Sequence, residues 1–357
     1  MSKDAFTWHP DQDDVYEGAV YGSITLQDLP FTAFNKHIGK NFTMNGDSND
    51  TLTLSPAPPD DMFWGGQLLP GGSDLTEINV NGGTLALEPP QSGGALVLGI
   101  GVGRQNIALN IRGTFLVRQT RVVGNPQADV PAATFNINGR GRCSISGGEG
   151  LSGTLAINVN DSGSMSVSAR VITIENGTYL ADGIADGDNP SLELIALRSL
   201  VDPYSGNFEI KQHEISCKSG SVSRLRAISM SLADTHIRAE DTASLLVACD
   251  TIDVDSDTVF AVGQGSAVIT FVGSEKNAAP FDFFGNTYPK GLFNFITTEG
   301  INKSTFRFLN VGNSAYDFKK MQTDGVITID GAPDTQSKCD WRSEVDGPDK
   351  YFAIFLK

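Results

Sequence analysis

Positive charge is scarce in this chain. Its 357 residues hold 26 Lys and Arg against 42 Asp and Glu, a formal net charge of −16. That balance disfavours a protein that tracks nucleic-acid phosphates, and equally one held on an anionic membrane surface. Cysteine is rare too. Cys143, Cys217, Cys249 and Cys339 include no pair at C-x-x-C spacing, which argues against a zinc knuckle and against a disulfide framework. No apolar run reaches the ~18 residues of a membrane-crossing helix. The polar opening Met1–Pro10, with Lys3 and Asp4, is not followed by the apolar core of a secretory leader. Between about Leu75 and Phe271 a 3.6-residue apolar stripe longer than two turns is also missing. The chain lacks G-x-S-x-G, H-E-x-x-H and Walker patterns, and the glycine run Gly99–Gly103 lacks the following helix that a phosphate loop needs.

Glycine, by contrast, is abundant, with 39 residues, and apolar residues recur every 22 positions between about Leu75 and Phe271. Phe208, Met230 and Ile252 keep that step, as do Ile210, Leu232 and Val254. The columns Ile215, Ile237, Val259 and Leu225, Val247, Ile269 keep it too, with Cys217, Ala239, Ala261 beside them. Earlier come Phe115, Ile137, Val159 and Val123, Ile145, Val167, then Ile78, Ile100, Val122 with Leu85/Ile107, Leu87/Leu109 and Val80/Val102. Within a period the texture alternates: Ile157 and Val159 flank Asn158, and Ile252 and Val254 flank Asp253, the period of two that a strand imposes. Short strands broken by Gly, Asn, Asp and Ser, at a step well below a propeller blade of ~40–45 residues, predict a parallel β-helix. Coils stacked about 4.8 Å apart pile equivalent residues into columns. Asn136/Asn158 and Asn138/Asn160 predict turn columns whose side chains hydrogen-bond along the axis.

On these columns the chain resembles the right-handed parallel β-helix superfamily, which includes pectate-lyase-like enzymes, phage tailspikes and secreted adhesins. The resemblance spans residues 75 to 271 and implies an all-β fold of about 22 residues per coil, with capping segments at both ends. It does not choose among activities, since one scaffold carries many. The expected organisation is an N-terminal cap or attachment segment over 1–74, the β-helix over 75–274, and an aromatic-rich C-terminal cap or oligomerisation segment over 275–357. Insertions are expected at 181–190 and 202–207, where protruding loops can border a functional face.

Chemistry is sparse. The Asn-Thr-Asp and Gly-His-Gly elements of polygalacturonase-type sites are absent, and the Asp-Asp pairs Asp13-Asp14 and Asp60-Asp61 lie outside the columns. The nearest calcium pattern is Asp253, Asp255 and Asp257, which lacks the glycine and terminal glutamate of an EF-hand loop. His213-Glu214 and Asp234-Thr235-His236 supply acid and base groups, with His236 one period beyond Glu214 and Arg238 close by. Glu214, Asp234, His236 and Arg238 are therefore the catalytic candidates, and Asp202, Tyr204, Asp253 and Asp255 the binding candidates. No cofactor other than calcium is indicated. The expectation is a virion-associated or extracellular β-solenoid of spike, fibre, decoration or adhesin type, a homo-oligomer or surface assembly contacting cell-surface glycans without membrane insertion. A polysaccharide lyase or glycoside hydrolase with an acidic groove is the alternative.

Overall fold

Alternation drives the local structure. In the computed structural model Ile157 and Val159 are fully buried while Asn158 between them is half-exposed, and the same pattern runs through Phe135, Asn136 and Ile137. The structure describes residues 5–9, 12–29, 40–56, 62–67, 75–88, 95–100, 107–118, 121–124, 133–183, 187–197, 205–273, 280–283, 285–309 and 314–357. The fold is all-β, with mostly parallel strand pairing and little helix, namely Gly18–Tyr21 and Ser314–Thr323 among the described residues.

The chain divides into two units, Met1–Thr178 and Tyr179–Lys357. In the first, one parallel stack runs through Asp14–Glu17, Phe42–Asn45, Thr76–Val80, Ile107–Ile111, Ala133–Ile137 and Leu155–Asn160. A second runs through Ile24–Leu29, Thr51–Pro56, Thr84–Leu87, Thr114–Arg118 and the start of Arg142–Gly153. A third joins Met62–Gln67, Ala95–Ile100, Arg121–Gly124 and the end of Arg142–Gly153. Strands between residues 14 and 67 thus continue the pairing of the later ones, in a region where no column was legible. Phe6 and Trp8 are buried beside them, 5.2 Å from the Tyr16 ring and 4.9 Å from the Phe42 ring.

In the second unit Asn207–Lys218 pairs with Ser229–Asp241, which pairs with Thr251–Val254 and Val259–Gly265. The stack goes on through Phe293–Phe295 to Ile327–Ile329. Beside it Ser191–Ala196, Val222–Arg226, Ser244–Ala248, Val268–Val272 and Thr305–Leu309 follow one another in parallel. The parallel order ends there. Thr305–Leu309 takes Asp349–Leu356 as an antiparallel neighbour, and that strand pairs in turn with Cys339–Asp346.

Several expected columns are real. Phe208, Met230 and Ile252 are successive register partners, as are Ile210, Leu232 and Val254. So are Ile215/Ile237, Cys217/Ala239, Leu225/Val247, Ile137/Val159 and Ile145/Val167. Others are displaced. Ile237 faces Phe260 and not Val259, because the turn before Thr258 adds a residue; Val247 faces Phe271 and not Ile269. Phe115 meets Cys143 instead of Ile137, and Val123 meets Ser152. Ile78, Val80, Leu85 and Leu87 pair with Leu109, Ile111, Phe115 and Val117, so the step of 22 fails through this region. Loops of unequal length separate strands whose inward sets still match.

Columns also persist past Phe271, where the sequence suggested they stop. Phe271 stacks on Phe308 with centroids 5.0 Å apart and ring planes 13° apart, and Phe260 lies over Phe293 at 6.0 Å. Phe281, Phe283, Phe295 and Phe306 are buried around them. These rings are part of the core of this unit, each contributing about 1.5–3 kcal/mol of burial. All four cysteines are free and buried, as small packed thiols; burial pushes the Cys217 thiol up to about 11 and the Cys249 thiol up to about 12. No described helix is long and apolar enough to cross a membrane.

Candidate functional site

The acid and base candidates gather on two neighbouring strands. Glu214 and His236 are register partners across a parallel pair, and both are exposed. Asp234 holds a left-handed backbone, φ 47°, one strand along from Gln212 at φ 48°, so it is a corner residue. Asp tolerates this region better than a branched side chain does.

Asp255 works on the backbone. Its carboxylate accepts the Asp234 N–H at 3.0 Å, the Asp257 N–H at 3.2 Å and the Thr258 hydroxyl at 2.7 Å. It therefore shapes the turn that shifts the register after Val254. Asp253 and Asp257 are exposed on either side. Among the described residues no three His, Cys, Asp or Glu side chains come together in a way that could hold a metal ion, so the Asp253, Asp255, Asp257 pattern does not converge. Asp202 and Tyr204 lie outside the described residues.

Arg238 belongs to a separate ion cluster. Its guanidinium pairs with Glu240 and Glu299, and the Lys218 ammonium lies 3.4 Å from Glu240. Glu240 is only 4% exposed, so two cations compensate a buried carboxylate. Gly263 makes room for it, because a Cβ there would lie 2.7 Å from Glu240 Oε1. Sequence reasoning missed Glu299 as a partner of Arg238, since it comes from a segment far along the chain.

The other histidine of the motif is internal. His213 is 4% exposed, neither ring nitrogen has a hydrogen-bond partner among the described residues, and its ring centroid lies 4.4 Å from that of Tyr179, edge to face. Burial depresses its pKa to about 3. A neutral imidazole with no proton path is not a general acid or base at ordinary pH.

Elsewhere in this unit a cavity of about 200 Å³ opens beside Asp330, Asp334 and Lys338. Both carboxylates are engaged from within. Asp330 accepts the Thr297 N–H at 2.7 Å and bonds its hydroxyl, while Asp334 accepts the N–H groups of Lys338 and Cys339 and the Gln322 amide. Burial alone would raise the pKa of Asp334; those donors outweigh it and hold the carboxyl below the usual range.

The first unit carries a different arrangement. Asn110 donates its amide to Asn79 at 2.9 Å, Asn136 to Asn110 at 3.0 Å, and Asn158 to Asn136 at 2.9 Å. Beside this ladder Asn160 donates to Asn138 at 3.0 Å, Asn81 to Asn45 at 2.9 Å, and Asn45 to Glu17 at 2.8 Å. The expected pairs Asn136/Asn158 and Asn138/Asn160 are thus bonded along the stack. Asn79, Asn110, Asn45 and Asn81 escaped notice because their offsets are 31, 26 and 36 residues instead of 22.

No protein family matches the chain, and neither a curated protein nor a solved structure matches it.

Proposed function

We propose that the chain is a right-handed parallel β-helix, with coils of about 22 residues where its loops are shortest. On this reading it is a structural and binding protein on the outside of a virion or cell, of spike, fibre, decoration or adhesin type, and it contacts surface glycans as an oligomer. The observation that supports this is the outward polar surface: amides in register on consecutive strands, fixed by bonds to one another. A pre-ordered hydrogen-bonding surface loses little side-chain entropy on binding. Asp234, Asp255 and Arg238, meanwhile, hold a corner, a turn and an ion cluster.

Native mass measurement together with a panel of immobilised polysaccharides tests this reading. An assembly heavier than the 38.0 kDa chain, retained on at least one glycan, is expected. A monomer retained on none overturns it. One observation favours the enzymatic alternative, the exposed Glu214–His236 neighbours. Polysaccharide breakdown that disappears in both Glu214→Gln and His236→Ala would move the assignment to a lyase or hydrolase.

A further inference from the structure

The six strands of the first stack, Asp14–Glu17 through Leu155–Asn160, present their outward side chains in rows. One row is Asn79, Asn110, Asn136 and Asn158, all half-exposed and register partners in turn. Next to it run the bonded pairs Asn45–Asn81 and Asn138–Asn160. On its other side the register places Ala108, Thr134 and Ala156, small side chains that are themselves buried, so contact on that side is left to the amides. We propose that this face binds an extended, uncharged polysaccharide lying along the stack, with successive sugar rings meeting successive strands. The proposal rests on the glycan-contacting reading above and gives it a place and a ligand class.

Hydrogen-bond capacity carries the argument first. A carboxamide has two N–H donors and two acceptor lone pairs. An inner rung such as Asn136 gives one N–H to Asn110 and accepts one from Asn158. With no further bond to Asn136 among the described residues, one donor and one acceptor per inner rung remain for a ligand. A sugar hydroxyl is itself a donor and an acceptor, so each rung can meet one hydroxyl in either sense. The rungs are already fixed by their neighbours, so little rotamer freedom is left to lose.

Spacing agrees. Adjacent parallel strands lie about 4.8 Å apart, close to the advance of one ring in an extended polysaccharide. Charge selects among polymers. The Asn79–Asn158 row holds neutral amides, Arg112 stands beside it between the Asn45–Asn81 and Asn138–Asn160 pairs, Glu17 and Glu77 stand at the margins, and the chain carries a net −16. A polyuronate would meet the repulsion of the net charge with a single arginine beside the ladder, whereas a neutral glycan would meet none.

Electrophoresis of the full chain through native gels cast with hydroxyethylcellulose, mannan or polygalacturonate tests the proposal. Retardation by a neutral polymer and not by polygalacturonate is expected. Asn136→Ala with Asn158→Ala should weaken the neutral-polymer Kd about tenfold or more, with the fold checked by circular dichroism. Should that pair fail to fold, Asn136→Thr with Asn158→Thr suits a strand while removing the amides, and should weaken binding in the same direction. Equal retardation of a folded variant and the parent places the glycan elsewhere and leaves the glycan reading standing. Preference for polygalacturonate overturns the ligand class. A parent retarded by no polymer removes the glycan reading and this site with it. Variants that change self-association but not retardation make the face a contact between copies, and the proposal fails.

Discussion

At the residue scale the most consequential side chain is His213, an imidazole held in the core with no hydrogen-bond partner on either nitrogen among the described residues. Burial lowers its pKa from 6.5 to about 3. The folded state therefore holds a neutral ring over a range in which the unfolded chain takes up a proton. Below pH 6.5 the unfolded state binds more protons, so stability falls as pH drops until the folded pKa is reached near 3. The slope from this one group is about 1.4 kcal/mol per pH unit. His213→Leu removes it. Urea unfolding at several pH values between 4 and 6.5 should show the parent losing stability more steeply than the variant by about that amount; parallel curves would mean the ring finds a partner that supports its charge. Asp255 teaches a related lesson about what a sequence can disclose. Its composition and spacing fit a ligand, yet its oxygens take two backbone N–H groups and a hydroxyl. Residue type cannot separate those roles, because the same lone pairs serve both and only the corner at Asp234 decides which donors arrive.

Elements were legible where the step between strands is constant. Asn207–Lys218 and Ser229–Asp241 differ by 22 positions along their whole register, so Phe208/Met230 and Ile215/Ile237 could be read directly. The pairing of Phe260 with Phe293, and of Val268 with Thr305, crosses long inserted segments. An insertion erases the phase without altering the inward set, which is why the aromatic C-terminal strands looked like a separate cap. Close approach between elements was illegible for another reason: Gly263 is required by a side chain one strand away. Glu240 sits against it, held by Arg238 and Lys218. Gly263→Ala should cost about 1–3 kcal/mol, since a pinned and buried carboxylate has little room to yield. In a Glu240→Ala background the same substitution should cost almost nothing, a coupling that chemical denaturation of the four-member cycle measures. An undiminished cost in that background would place the conflict in the backbone and not in the ion cluster.

Over the whole molecule, parallel stacking poses a problem that its final strands address. A parallel β stack that stops leaves backbone groups able to template another chain. Here Asp349–Leu356 turns antiparallel against Thr305–Leu309, and Cys339–Asp346 follows it, with Asp349–Leu356 as its one partner strand among the described residues. That outer strand alternates charges: Asp340, Arg342, Glu344 and Asp346. Glu344 bonds Arg307 at 2.9 Å and Arg342 at 2.6 Å, and Arg342 also lies 4.7 Å from the Phe355 ring centre. Charges on an edge strand oppose addition of a further strand, because pairing would desolvate them. Arg342→Val with Glu344→Val tests this with no change in net charge, so the repulsion between copies stays as it was. The variant edge, already bearing the 69% exposed Val345, should give larger, concentration-dependent species by light scattering than the parent does. Glu209→Val with Lys211→Val is the matched control, an exposed charge pair replaced on a strand whose backbone is already paired. Association confined to the edge variant assigns the effect to open backbone groups. Equal association in both would assign it to apolar surface alone, and the charged hairpin would lose its role as the terminator of the stack.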